Sequence, residues 1–167
     1  MVTLHPTLKR TPFVVEIELA DGLVFDSYPG PLGQVLTNLI NNAVNHAFEG
    51  RSHGHIRLSA WRAEDDCAVI RVADDGVGIA PGMRKRVFDP FFTTRMGRGG
   101  TGLGLHIAHA SVTQLLGGRI AIVDVPGWET TFEVVLPLRA PYRGAAQVDD
   151  ESMAQSAHTG DSNEAAR

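Results

Sequence analysis

Gln34-Val35-Leu36-Thr37-Asn38-Leu39-Ile40-Asn41-Asn42-Ala43-Val44-Asn45-His46-Ala47 carries two patterns at once, and the fold is read outward from them. Leu32, Val35, Leu36, Leu39, Ile40, Ala43 and Ala47 recur at helical spacing, which predicts an amphipathic helix opened by Pro29-Gly30-Pro31. Asn38, Asn42 and Asn45 fall at i, i+4 and i+7 and share the opposite face with Gln34 and Asn41. Asparagine is a poor interior helix former. A merely solvated face would also carry lysine, glutamate or arginine, yet from Gln34 to Phe48 there is none. Uncharged amides suit a recessed site with oxygen ligands, because Mg2+ accepts carbonyl oxygen beside phosphates.

Strand patterns flank this helix. Phe13 to Leu19 alternates apolar and acidic residues up to the Asp21-Gly22 break, and Leu23 to Phe25 reads as a further short strand. His55 to Trp61 and Ala68 to Ala73 alternate on either side of Glu64-Asp65-Asp66, which predicts an antiparallel hairpin. A short helix is expected from Met83 to Val87, then a long irregular loop from Thr93 to Gly100. Gly102 to Leu116 reads as a second major helix stopped by Gly117-Gly118, and strands follow at Arg119 to Val123 and Thr130 to Leu136. The expected fold class is α/β: a two-layer sandwich in which helices cover one face of a mixed sheet.

Two glycine-punctuated segments sit where strands and helices meet. Asp74-Asp75-Gly76-Val77-Gly78-Ile79 closes a buried-looking strand; its glycines permit a tight turn with bare backbone, and a carboxylate there can accept from an exocyclic amine. Gly99-Gly100-Thr101-Gly102-Leu103-Gly104-Leu105 leads into a helix, whose first N–H groups and dipole attract phosphate. A strand-ending turn and a flexible hinge are the plain readings of each alone. Together with the asparagine face they describe a nucleotide pocket without a P-loop; G-x-x-x-x-G-K-[ST] is absent. Gly97-x-Gly99-x-x-Gly102 with Asp124 beyond it also matches a dinucleotide-binding fingerprint. The residues before Gly97 do not form a clean parallel strand, so the context for that motif fails.

Composition narrows the class. The 167 residues, 43% of them hydrophobic, suit one domain with a sound core. No apolar run is long enough to cross a bilayer, and the lone Cys67 reads as a buried, inert thiol in a reducing compartment, so a cytoplasmic chain without direct membrane contact is expected. Asp149, Asp150, Glu151, Asp161 and Glu164 against Arg167 account for the whole net charge of −4. The remainder is neutral and lacks the basic field that nucleic-acid binding needs. Residues 1–12 are read as a linker remnant, 13–140 as the one ordered domain, which carries the pocket, and 141–167 as an acidic disordered tail.

With these motifs in view, the chain resembles the catalytic, ATP-binding domain of bacterial sensor histidine kinases, in the superfamily shared with gyrase, heat-shock and mismatch-repair ATPases. Gln34 to Ala43 is similar to the family's N box and Asp74-x-Gly76-x-Gly78 to its adenine-contacting box. Val87-Phe88-Asp89-Pro90-Phe91-Phe92-Thr93-Thr94 resembles the F box, and Gly100-Thr101-Gly102-Leu103-Gly104-Leu105 the glycine box that ends the ATP lid.

The resemblance implies ATP and Mg2+ as cofactors. By it Asn42 holds the metal with Asn38 assisting, Asp74 with Gly76, Gly78 and Ile79 contacts adenine, and Gly100, Thr101, Gly102, Leu103 and Gly104 cradle phosphate. Arg95 or Arg98 reaches the terminal phosphates. Many relatives have a basic residue three positions after the metal-binding asparagine; here Asn45 stands there, followed by His46, and both are taken as nucleotide contacts. Hydrolytic members carry a glutamate at the position of Asn38, and an amide cannot activate water, so Asn38 and Arg95 are assigned to phosphoryl transfer onto a protein acceptor. The implied partners are a histidine-bearing dimerisation domain of the same parent, whether or not that parent is membrane-anchored, and a downstream response-regulator receiver domain. An anti-sigma-type serine kinase and a nucleotide-dependent interaction module are the alternatives. Phe88, Phe91 and Phe92 are expected to pack the lid and core; the histidine pairs His53/His55 and His106/His109 are expected to be surface or capping residues. The last turn, Gly127-Trp128-Glu129-Thr130, departs from the glycine pair common in relatives.

Overall fold

The computed structural model describes residues 13–93 and 101–141. Its elements are β1 (Val14–Leu19), α1 (Pro29–Asn42), β2 (His55–Arg62), β3 (Cys67–Asp74), α2 (Gly104–Ala110), β4 (Arg119–Ile122) and β5 (Thr130–Pro137). The five strands form one mixed sheet in the order β1-β2-β3-β5-β4. β1 runs parallel to β2, with Val15 opposite Ile56, and every other pairing is antiparallel.

Alternation along the strands decides which face is covered. Ile56, Leu58, Ala60, Ile70, Val72, Phe132, Val134 and Leu136 share one core with Val35, Leu39, Ile40 and Ala43 of the first helix and Ala108, Val112 and Leu116 of the second. Burying each large apolar side chain of this set contributes roughly 1.5–3 kcal/mol, which is what fixes the helices to the sheet. α1 begins at Pro29, where a fixed φ and a missing N–H suit a first turn. Both helices widen at their C-terminal ends into π turns, Ala43–Ala47 after α1 and Ser111–Leu115 after α2. Such widenings recur at functional sites.

The β2–β3 hairpin closes through Asp65 and Asp66 at φ of 56° and 52°, with Cys67 N–H donating to Glu64 O at 3.2 Å. Two left-handed residues match the strand twist, and aspartate tolerates that region better than most side chains. The uncovered sheet face is built from paired charges and aromatics. Arg71 bonds Glu133 at 2.6 Å and lies against Trp61, its Cζ 4.9 Å from the ring centroid. Arg57 lies against Trp128 at 4.6 Å, so the departure in the last turn serves to cover this face.

Several expectations are corrected. Leu23 to Phe25 forms no strand: Leu23 and Phe25 pack against the core, and the backbone makes a single bridge, Asp26 with Arg139. The helix expected at Met83 to Val87 is two 3-10 turns, Pro81–Met83 and Arg86–Phe88, the second ended by Asp89, which takes the extended conformation favoured before Pro90. The second helix starts at Gly104, since Gly102 takes φ +66°. Cys67 is half-buried at the start of β3. Phe91 is no packing residue; it is 67% exposed. The linker assignment, and the tail assignment beyond Pro141, fall outside the described residues.

Candidate functional site

The asparagine face of α1, the turn after β3 and the start of α2 surround one cleft of about 480 Å³. That is the size range of small-ligand sites. Its lining brings together Asn38, Asn42, Asn45, His46, Asp74, Gly78, Ile79, Thr101, Gly102 and Gly104, all singled out from sequence. Gly76 and Leu103 stand beside the lining rather than in it. Arg95, Arg98 and Gly100 lie outside the described residues.

One end of the cleft is set by Asp74. The residue is 2% exposed, at the end of β3 opposite Thr130 of β5. Burial pushes its pKa up to about 6, against hydrogen bonds from Gly76 N–H (3.1 Å) and the Thr130 side chain that lower it. Asp75 and Glu129 nearby add a smaller upward push. The turn after Asp74 packs directly on the π segment of the first helix: Val77 N–H donates to Ala47 O at 2.9 Å. A Cβ at position 76 would collide with that same carbonyl, so only glycine lets the two backbones meet.

The other end is set by the turn into α2. The Asn38 amide donates to Gly104 O at 2.9 Å and accepts from Gln34 Nε2 at 3.0 Å. Asn38 therefore ties the first helix to the second, and its amide orientation is fixed by two partners. Gly102 N-terminal to this tie has no room for a Cβ, which would meet the Phe91 backbone. Thr101 Oγ1 accepts from Leu103 N–H at 3.4 Å.

Side-chain oxygen in the lining comes from the amides of Asn38, Asn41, Asn42 and Asn45, the carboxylates of Glu49 and Asp74, and the hydroxyls of Thr93, Thr101 and Thr130. Among the described residues no group of three or more His, Cys, Asp or Glu is placed to hold a metal alone. The chemistry of Asn38, Asn41, Asn42 and Asn45 instead fits a hard ion that brings phosphate and water ligands with it. His106 Nδ1–H donates to Phe88 O at 3.1 Å, and the His109 ring lies 5.3 Å from that of Phe88. These histidines thus fasten the turn before residue 93 to α2.

Sequence reading missed part of the lining: Glu49, Val77, Met83, Val87, Phe92, Thr93, Leu105 and Thr130. Thr130 is the most consequential, being 4% exposed and bonded to Asp74. A threonine opening a β-strand is common, and its partner is 56 residues away, so only the β3–β5 register reveals it.

The family described as histidine kinase-, DNA gyrase B-, and HSP90-like ATPase matches residues 28–140. The signal transduction histidine-protein kinase AtoS of Escherichia coli K12 is 39% identical over 107 residues, covering 64% of this chain and 17% of AtoS. The alginate biosynthesis sensor protein KinB of Pseudomonas aeruginosa is 40% identical over 105 residues, again over 17% of its own length. This chain thus spans about a sixth of these curated relatives. Among solved structures, full-length ShkA in complex with AMPPNP is similar at a TM-score of 0.56 and 30% identity, over 74% of this chain and 25% of ShkA. The catalytic domain of the histidine kinase ThkA is similar at 0.68 and 25% identity, over 80% and 84% of the two chains.

Proposed function

Since the chain belongs to the histidine kinase-, DNA gyrase B- and HSP90-like ATPase family, we propose that it is the catalytic module of a sensor histidine kinase. It binds Mg-ATP in the cleft and delivers the γ-phosphoryl group to a histidine on a separate dimerisation domain of its parent, from which a response-regulator receiver domain takes it. The observation that carries this reading is the two-ended chemistry of the cleft. A buried carboxylate, Asp74, faces the space at one end, and the Asn42 amide with Thr101, Gly102 and Gly104 lines the rest.

Asp74 accepts from the exocyclic amine of adenine, and Thr130 holds that carboxylate in place. Asn42 holds the metal through its amide oxygen, and Asn38 secures the phosphate-cradling turn to α1. Bound Mg2+ supplies charge neutralisation across the polyphosphate. Catalysis of this kind is mostly positioning, and Asn38, tied to Gln34 and Gly104, is no general base for water. Transfer to a protein acceptor is therefore favoured over hydrolysis. Residues 13–140 form the working unit, acting in the cytoplasm, where ATP is available.

The test is incubation of this chain with γ-labelled ATP, Mg2+ and the parent's histidine-bearing dimerisation domain. Acid-labile, base-stable label on that domain is the expected result. Tight nucleotide binding with label released only as free phosphate, or not at all, would overturn the proposal.

A further inference from the structure

The turn that carries Asp74 is braced from behind, away from the cleft lining. Asp75 engages every hydrogen-bonding group it has. Its carboxylate accepts from the His55 backbone N–H at 2.7 Å and pairs with His55 Nδ1 at 2.9 Å. Its own N–H donates to His55 O at 3.3 Å, and its carbonyl accepts from the Arg51 guanidinium at 2.9 Å. An ionised carboxylate is acceptor only, so His55 Nδ1 must carry the proton. Burial pulls the Asp75 pKa upward, but the His55 backbone and ring hydrogen bonds outweigh it and hold the group below the usual carboxylate range.

The neighbours of Asp75 are anchored separately. Glu129 N–H donates to Asp74 O at 2.9 Å, and Val77 N–H reaches Ala47 O. The 49–54 connection that supplies Arg51 is itself fixed, because the Phe48 ring fills the space where Gly54 would carry a Cβ. The 74–75 peptide plane is held by Glu129 through Asp74 O and by His55 through Asp75 N–H, and the 75–76 plane by Arg51 through Asp75 O, so Arg51 and His55 fix the side of the turn that the β3–β5 ladder does not.

We infer that His55 and Arg51 are positioning residues, which act through Asp75 to hold the Asp74 carboxylate in the orientation that reads a nucleobase. The inference rests on the nucleotide reading of the cleft and adds that base selectivity, beyond affinity alone, depends on residues that do not touch the ligand. Nothing in the role of a simple staple would link these side chains to the identity of the base.

The test is competition of ATP and of GTP against a fluorescent ATP analogue, on wild type, His55→Ala, His55→Asn and Arg51→Ala, with thermal unfolding of each. Asparagine places an amide donor close to the position of Nδ1 and does not titrate. Loss of one charge-assisted bond predicts that His55→Ala and Arg51→Ala weaken ATP by roughly three- to tenfold, with GTP changed less than about twofold. His55→Asn is expected to restore ATP binding to within about twofold of wild type. Wild-type selectivity in both alanine variants, equal losses for ATP and GTP, or a His55→Asn as impaired as His55→Ala would overturn the inference. A wild type that binds neither nucleotide would overturn the proposed function itself, and this inference with it. Should His55→Ala not fold, Arg51→Ala and His55→Asn decide.

Discussion

The side chain of Asn38 and the backbone carbonyl of Gly104 are 66 residues apart in sequence and 2.9 Å apart in the fold, joined by a hydrogen bond across the mouth of the cleft. The bond links the start of α2, the end of the cleft proposed to take phosphate, to the first helix. Asn38→Ala is expected to weaken ATP by roughly fivefold, the value of about one net hydrogen bond, while adenosine binds as before. Titration with both ligands checks this. An equal loss for adenosine would place the effect at the wrong end of the cleft.

Asp74 gives the domain a pH signature. Its folded pKa of about 6 stands above the ordinary aspartate value of 3.8, so the folded state binds this proton more tightly than the unfolded chain. The contribution of this group to stability is therefore full below about 4 and declines as pH rises through about 6. On the proposed assignment of Asp74 to the adenine amine, ligand binding runs the other way, because that amine is best met by an ionised acceptor. ATP affinity should fall as pH drops below about 6, and binding near that pH should release a proton. Calorimetry in two buffers of different ionisation enthalpy measures the release; Asp74→Asn should abolish it along with most of the affinity.

Gly76 and Gly102 should respond differently to alanine. Gly76→Ala drives a methyl group into the Ala47 carbonyl between two core elements, and a loss of roughly 2 kcal/mol or more in stability is expected. Gly102→Ala strains a left-handed residue against the Phe91 backbone at the rim. There the cost should appear mainly in nucleotide affinity, with unfolding little changed. Denaturant titration beside ligand titration separates the two.

The uncovered face of the sheet supplies a contrast. Arg71 bonds Glu133 and stacks on Trp61 on the side opposite the cleft, so Arg71→Ala should lower stability by roughly 1–2 kcal/mol and leave ATP affinity unchanged. A change in affinity would mean that the two faces are coupled through the sheet.

Much of this architecture was legible in the residues. The amide face and the apolar face of α1 repeat at 3.6-residue spacing, and the Asp65-Asp66 turn fixes the hairpin register locally, so both could be read from a short window. Leu23 to Phe25 misled because three apolar residues look alike whether they pair in a sheet or fill a gap under a loop. Thr130 and the tie from Asn38 to Gly104 were invisible for another reason: each depends on a partner more than fifty residues away. Trp128 became intelligible only when the sheet brought Arg57 beneath it. Local pattern, in short windows, specifies elements; the chemistry of the cleft comes from where those elements meet.

Calorimetric titration of ATP into wild type and Asn42→Asp, with and without Mg2+, tests the central claim most directly. The account predicts a single site in the wild type whose affinity rises with Mg2+, and a variant that folds normally but loses most of that Mg2+-dependent gain. Undiminished Mg2+-dependent binding by Asn42→Asp, or no ATP binding by the wild type, would contradict it.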